Sequence, residues 1–290
     1  MSRHQIIRGI PFPNVSYFKR ENIESTLDYP PKDGDIIIAS YPKTGTTWLQ
    51  YIVLQIISKG ESFPTFNDLL DKVTPFMEMT GVEAIDNLTG VRIYKHHYRY
   101  NMVKKNPKAK VLYTYRNPAD TVISFYHFIQ GIWEKKIDLD EFFDGFLSGN
   151  IEYGRYFEHV MSFLAHKNDD NLMLISYEKL YANPKEGILQ IAKFLGDEYY
   201  QNLLEDESLL NTILEHTSFD YMKKNLTLEL PRQDSSENSA SDEKNTVNFF
   251  RKGVVGDGKK SLSPDQLRRL REVAKEVMKD SEILQEWFKE

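Results

Sequence analysis

The stretch DIIIASYPKTGTTW, residues 35–48, decides how this chain is built. Its first six residues are apolar on both faces, the pattern of a strand buried within a parallel sheet. Ser40, Tyr41, Pro42, Lys43, Thr44 and Gly45 then make a tight turn, and Thr46, Thr47 and Trp48 open an apolar-periodic helix. A strand, a glycine turn, hydroxyls and a helix start together form a phosphate cradle. The first amide N–H groups of the helix and its positive dipole end point into the turn. The order is not that of a Walker A loop, G-x-x-x-x-G-K-[ST]. Gly45-Thr46-Thr47 stands where Gly-Lys-Ser/Thr would stand, so the lysine has moved to the near side of the turn as Lys43. Thr47 keeps the hydroxyl position that holds Mg²⁺ in a nucleotide triphosphatase. The displaced lysine argues against simple ATP hydrolysis, and a turn with no ligand is the plainer reading.

Three further runs carry the same two-faced apolar pattern: 91–95 (VRIYK), 110–115 (KVLYTY) and 172–177 (LMLISY). Helical patterns fill the intervals at 46–58, 118–130, 150–165 and 184–195, and 197–222 reads as helical without further strands. Strands alternating with helices imply right-handed βαβ units. The expected fold is therefore α/β, a three-layer sandwich with a central, mostly parallel sheet and a P-loop-like phosphate cradle, in a single domain over residues 1–290. From Pro264 to the end, two amphipathic helices are expected on the outside. The segment 232–246 (RQDSSENSASDEKNT) breaks the pattern, being polar, serine-rich and nearly without aliphatic anchors. A disordered surface insertion and a mobile cover over a site both fit it.

Composition narrows the function classes. The 290 residues include 37 Lys and Arg against 43 Asp and Glu, a formal charge of −6, so no global basic field draws the chain to nucleic acid or an acidic membrane. Any polyanion must be held by a local cluster. The absence of cysteine removes disulfides, thiolate catalysis and thiolate zinc sites. No apolar run approaches the ~18 residues of a membrane span, and the N-terminus lacks a signal-peptide core. A cytoplasmic protein without a membrane partner is the expectation.

Two more motifs favour an anion site. In YRNPADTVISFYHF (115–128), Arg116 ends a strand and Ser124 lies about two helical turns later. Guanidinium and hydroxyl can meet on one anion only if the ligand lies along that helix, and the planar donors of Arg suit a phosphate. In FFRKGVVGDGK (249–259), Arg251 and Lys252 precede three glycines, which let main chain approach an anion closely. Taken singly, the arginine could cap strand carbonyls and the basic turn could simply be solvated.

Together, and in this order, they resemble the cytosolic sulfotransferases, which use 3′-phosphoadenosine 5′-phosphosulfate (PAPS). YPKTGTTW is similar to that family's 5′-phosphosulfate loop, 116–124 to its 3′-phosphate motif, and 251–259 to its R-K-G-x-x-G-D-x-K loop. The resemblance implies a PAPS site made by Lys43, Thr44, Gly45, Thr46, Thr47, Trp48, Arg116, Ser124, Phe249, Phe250, Arg251, Lys252 and Gly253. Tyr177 is implied as an adenine contact, and Thr217, Ser218, Phe219 and Met222 as the nucleotide-side T-S-F-x-x-M stretch. It implies catalytic roles for Lys43, Lys95, His97 and Ser124, PAP as product, and no metal.

Sulfuryl transfer builds negative charge on the departing bridging oxygen, where a cation helps most. The acceptor must also lose a proton, and histidine is the fitting base. In Tyr94-Lys95-His96-His97 the family's K-x-H falls on Lys95 and His97, and strand alternation puts these two on one face with His96 on the other. His127 and His216 could line the site, while His4, His159 and His166 read as structural. The implied partner is a small hydroxyl or amine acceptor, probed by Phe128, Phe76 and Tyr98, with Phe142 and Phe143 as further candidates. Where the family often carries a K-T-V-E dimer segment, Lys260-Ser261-Leu262-Ser263-Pro264 stands instead, so a monomer or weak dimer is expected. An ATP-dependent small-molecule kinase and a non-catalytic nucleotide-binding protein are the competing readings.

Overall fold

The four two-faced apolar runs form one parallel sheet. In the computed structural model, which describes residues 4–61, 73–133, 136–226, 228–231, 244–247, 250–279 and 281–288, a hairpin of β1 (His4–Ile7) and β2 (Ile10–Pro13) precedes α1 (Arg20–Leu27). The central strands are β3 (Ile36–Ser40), β4 (Ile93–His96), β5 (Lys110–Tyr115) and β6 (Leu172–Ser176), in the order β4-β3-β5-β6. All three pairings are parallel, with Ile38 opposite Lys95 on one side and Leu112 on the other.

Alternation along these strands divides the core in two. Ile36, Ile38, Ile93, Leu112 and Ile175 face one layer, with α2 (Thr46–Ile57), α8 (Pro184–Leu195) and α10 (Glu207–His216). Ile37, Ala39, Tyr94, Tyr113 and Tyr115 face the other, with α4 (Pro118–Trp133), α6 (Tyr156–Leu164) and α13 (Pro264–Met278). Helices on both faces of a parallel sheet are the three-layer arrangement expected. Each shell excludes water from a full face of the sheet, so burial on both sides drives the fold.

The remaining elements are α3 (Met77–Asp86), α5 (Leu139–Ser148), α7 (Tyr177–Ala182), α9 (Asp197–Glu205), α11 (Phe219–Asn225), a second hairpin of β7 (Leu228–Pro231) and β8 (Lys244–Val247), α12 (Asp257–Ser261) and α14 (Glu282–Trp287). Several boundaries differ from the sequence reading: the run 91–95 is a strand over 93–96, and the helical stretch 197–222 is divided among three helices. The helix expected from 150 begins only at Tyr156, because Tyr153 (φ 68°) and Gly154 (φ 73°) turn the chain left-handed. The run 172–177 ends at Ser176, whose hydroxyl accepts from the Lys179 N–H and starts a helix at Tyr177. Within the polar segment, 244–246 belong to β8, while 232–243 and Phe249 lie outside the described residues. No described helix is long and apolar enough to cross a membrane.

Candidate active site

A cavity of about 380 Å³ opens at the C-terminal ends of the central strands. Such sheets place ligand sites there because strand ends and helix starts converge on that edge. Its polar floor is the turn after β3. Lys43 (φ 68°) and Gly45 (φ 102°) both take left-handed backbone, which winds the turn so that α2 starts at its edge. A side chain at Gly45 would bring its Cβ within 2.7 Å of the Tyr177 ring, so only glycine fits. Thr46 is tied to the Ser40 hydroxyl at 2.6 Å. Thr47 lines the cavity, and its buried Oγ1 has no hydrogen-bond partner. A buried orphan hydroxyl beside unsatisfied helix N–H groups is what an anion would complete.

Cations crowd this floor. The Lys43 ammonium lies over the Phe128 ring, 4.1 Å from its centre. Burial, and then the charges of Arg116, Lys95 and Arg251, push Lys43 down to about 7. Arg116 sits on the Tyr177 ring at 4.3 Å and donates from Nη2 to the Val254 carbonyl at 3.0 Å. The Asp120 carboxylate accepts from the N–H groups of Gly256 and Gly258, at 2.8 and 2.6 Å. Those bonds dock the Arg251-Lys252-Gly253 loop onto the start of α4, beside Arg116. Arg251 and Lys252 both reach Asp257, at 2.6 and 2.7 Å, which holds Asp257 below the usual carboxylate range. Arg116 Nε and Arg251 Nε are buried without partners.

The aromatic side of the cradle is built by cross-bracing. Trp48 donates its indole N–H to the Thr217 carbonyl at 2.9 Å and meets Tyr177 edge-on. Ser218 caps α11 by accepting from the Tyr221 N–H. A Cβ at Gly253 (φ 63°) would fall 2.1 Å from the Phe219 ring, so the loop passes against that ring only as glycine.

His97 stands one residue beyond β4 and lines the cavity with Lys95, while His96 turns away. Its Nδ1 lies 2.8 Å from the Ser40 carbonyl, which can only accept, so Nδ1 carries the proton. The ring's Nε2 is then its basic nitrogen. The main chain of His97 is held at both ends: its N–H donates to Glu78 at 2.6 Å, and its carbonyl accepts from His159 Nε2 at 3.0 Å. His159 in turn accepts the Tyr113 hydroxyl proton at Nδ1. Burial, and then the Lys95 charge, hold His97 well below the ordinary histidine value, so it is neutral at physiological pH. Lys95 is pushed down to about 8 by burial.

Residues 33–282 match the family model of the sulfotransferase domain. The chain belongs to the sulfotransferase family. Sulfotransferase 1B1 of Mus musculus is 32% identical over 292 residues, 94% of this chain and 91% of that protein. The 3-alpha-hydroxysteroid sulfotransferase of Cavia porcellus is 33% identical over 286 residues, covering 93% and 92%. The amine sulfotransferase of Oryctolagus cuniculus is 32% identical over 283 residues, covering 91% and 90%. Among solved structures, mouse sulfotransferase SULT7A1 complexed with PAP matches at a TM-score of 0.78 and 26% identity, with 99% of both chains covered. The protein is thus a sulfotransferase enzyme.

On this sulfotransferase fold, Lys43, Gly45, Thr46, Thr47, Trp48, Lys95, His97, Arg116, Ser124 and Tyr177 all line one cavity. Thr217, Ser218, Phe219, Met222, Phe250, Arg251, Lys252 and Gly253 join them, as do Phe76 and Phe128. Thr44 and Tyr98 do not. The Thr44 side chain is fully buried, with its one hydroxyl proton shared between the Tyr41 and Thr114 carbonyls, and its own carbonyl accepts from the Thr114 hydroxyl, so only its N–H is left for a ligand. Tyr98 is also fully buried; it stacks on His96 and bonds the Thr26 hydroxyl at 2.7 Å, so it cannot touch an acceptor. The alternation that aims His97 at the cavity carries Tyr98 to the opposite face. Phe142 and Phe143 are core residues, His127 is exposed beside Tyr126, and His216 bonds Gln55. The far wall holds residues that no motif announced: Pro13, Val15, Phe18, Met79, Glu152 and Tyr153. They come from distant segments, and only the tertiary fold assembles them.

Proposed function

We propose that this sulfotransferase moves the sulfuryl group of PAPS to a hydroxyl or amine of a small acceptor held in the apolar half of the cavity. The observation that carries the reading is the convergence on one cavity of a wound cradle, five cationic side chains and a neutral histidine of fixed tautomer. The site fits the donor. The orphan Thr47 hydroxyl and the free N–H groups at the start of α2 suit a 5′-phosphate, and Arg116, Ser124, Arg251 and Lys252 suit the 3′-phosphate. Tyr177 and Trp48 offer aromatic faces to a purine.

When bound, PAPS supplies an activated sulfuryl group whose leaving side is a phosphate. Lys43 is the cation placed to neutralise the charge that grows on that side, an interaction stronger in the transition state than before it. Lys95 serves the sulfuryl oxygens. His97 takes the acceptor proton at Nε2, and its Nδ1–H bond to Ser40 steadies the imidazolium that results. The walls contributed by Phe18, Phe76, Phe128 and Met79 suit a flat or aliphatic acceptor body. The test is incubation with labelled PAPS and a panel of phenols, steroids, amines and alcohols. Transfer of label to one of them is the expected result, and no transfer to any of them contradicts the reading.

A further inference from the structure

His97 lies just past the end of the sheet that would otherwise hold it. The β3–β4 ladder stops at the pair Ala39–His96, so no strand partner fixes the peptide that follows. Side chains take the ladder's place. The His97 N–H donates to Glu78 Oε1 at 2.6 Å, and the Tyr98 N–H donates to His96 Nδ1 at 3.1 Å. The His97 carbonyl accepts from His159 Nε2 at 3.0 Å, a bond that reaches across from α6. One turn later on α6, Ser162 Oγ accepts the Tyr100 N–H at 3.1 Å, so the helix grips the chain beyond β4 at two points.

The partners of His159 fix its state. A carbonyl only accepts, so Nε2 carries the proton and Nδ1 keeps a lone pair. That lone pair takes the Tyr113 hydroxyl proton at 2.9 Å. The ring is fully buried, stacked on Tyr113 with 20° between planes and edge-on to Tyr41. Tyr113 itself stands opposite Ala39, in the middle of the sheet. A chain of hydrogen bonds therefore runs from a central strand, through His159, to the main chain of the proposed base. We propose that His159, anchored by Tyr113, is a positioning residue for transfer: it fixes the His97 peptide so that Nδ1 meets Ser40 and Nε2 meets the acceptor. Hydrogen bonds weaken steeply with misalignment, and a base must lie within hydrogen-bond reach of the proton it takes. A peptide that swings carries the His97 Cα–Cβ bond with it and takes Nε2 out of line. A histidine that only fills space can be exchanged for phenylalanine. One that holds a carbonyl cannot.

The role of His97 in transfer rests on the proposed function, but its hold by His159 can be read without turnover. The test compares H159F, which keeps a flat ring and loses the donor, with H159Q, whose amide offers a donor to the His97 carbonyl and an acceptor to Tyr113. The first measurement is NMR of ligand-free protein with isotope-labelled histidine, following the His97 Nδ1–H signal, assigned by its loss in H97A. In H159F this hydrogen should exchange with solvent about tenfold faster or more, because the local structure that shields it opens more often. H159Q should bring the exchange back toward wild type. Equal exchange in H159F and wild type overturns the proposal. If H159F fails to fold, Y113F gives a second reading, since it removes one oxygen and strips His159 of its anchor. The same hydrogen should again exchange faster, and unchanged exchange overturns the proposal equally. The second measurement is single-turnover transfer from saturating PAPS. H159F should slow transfer by about tenfold or more, with acceptor half-saturation and 3′,5′-ADP affinity within about twofold of wild type, because the base is displaced and the binding walls are not. H159Q should recover most of the rate. Wild-type transfer in H159F, or the same loss in H159Q as in H159F, shows a merely structural residue and contradicts the proposal. Wild-type protein that moves no label from PAPS contradicts the proposed function alone, and exchange at His97 still decides the hold by His159.

Discussion

The Nδ1 atom of His97 and the carbonyl oxygen of Ser40 lie 2.8 Å apart, which joins the proposed base to the last residue of the cradle strand. Because a carbonyl only accepts, this bond sets which nitrogen faces the acceptor. Ser40 also holds Thr46 through its hydroxyl. One residue therefore orients both the base and the start of the phosphate-facing helix.

The cluster of Arg116, Ser124, Arg251 and Lys252 predicts a preference for 3′,5′-ADP over 5′-ADP. Each charge-assisted contact contributes about 1.5–3 kcal/mol, so the preference should be tenfold or more. Calorimetry with the two nucleotides measures it directly. Equal affinities would remove the 3′-phosphate assignment.

Lys43, held near 7 in the ligand-free protein, predicts that nucleotide binding takes up protons. An anion in the cradle raises the lysine again. Below pH 7 the ammonium is already charged, and above pH 7 it must gain a proton on binding. Affinity for 3′,5′-ADP should therefore fall as pH rises from 7 to 9, by up to about tenfold per unit. Calorimetry at pH 8 in two buffers of different ionisation enthalpy should give different apparent heats. Identical heats would contradict the assignment of Lys43 to the cradle.

Gly45→Ala tests the cradle's winding. Alanine must adopt a φ near 102° and place its Cβ against Tyr177. A loss of about 1–3 kcal/mol in stability is expected, with weaker nucleotide binding beyond what the melt explains. A variant that melts and binds like wild type would show that the turn has room to relax.

Much of this arrangement was legible in the sequence, for physical reasons that also explain what was not. Strands buried on both faces leave uninterrupted apolar runs, so β3 and β5 could be read from 35–40 and 110–115. The cradle was legible because only glycine tolerates the backbone at Gly45. Lys95 and His97 were implied by the family's K-x-H pattern, and alternation only put them on one face; the same rule carried one step further would have turned Tyr98 into the core. Glu78, Glu152 and the β1–β2 residues on the far wall left no local signal, since their neighbours in space are distant in sequence. Thr44 lies within the motif but is spent on the Tyr41 and Thr114 carbonyls.

Three buried histidines, His96, His97 and His159, predict acid lability. Burial is the main cause in each, and it lowers His96 and His159 to about 3 and His97 well below its ordinary value. The folded state keeps them neutral, while the unfolded chain protonates them below about pH 6.5, so stability falls as pH drops through that value. Glu78, raised to about 8, works the other way, because the folded state binds its proton first. Three losses against one gain leave about 3 kcal/mol less stability at pH 5 than at pH 7. Denaturant melts at the two pH values should show it, and equal stability would mean that these rings gain their protons without unfolding.

The most direct test of the account compares His97→Ala with His96→Ala in single-turnover transfer from saturating PAPS to an accepted substrate, with melts confirming that both variants fold. His97→Ala should slow transfer by ~10²–10⁴-fold, the range for loss of a general base, and leave 3′,5′-ADP affinity nearly unchanged. His96→Ala should transfer at close to the wild-type rate and lose stability instead. If His96→Ala abolishes transfer while His97→Ala does not, or if neither slows it, the proton does not leave through the nitrogen that Ser40 orients.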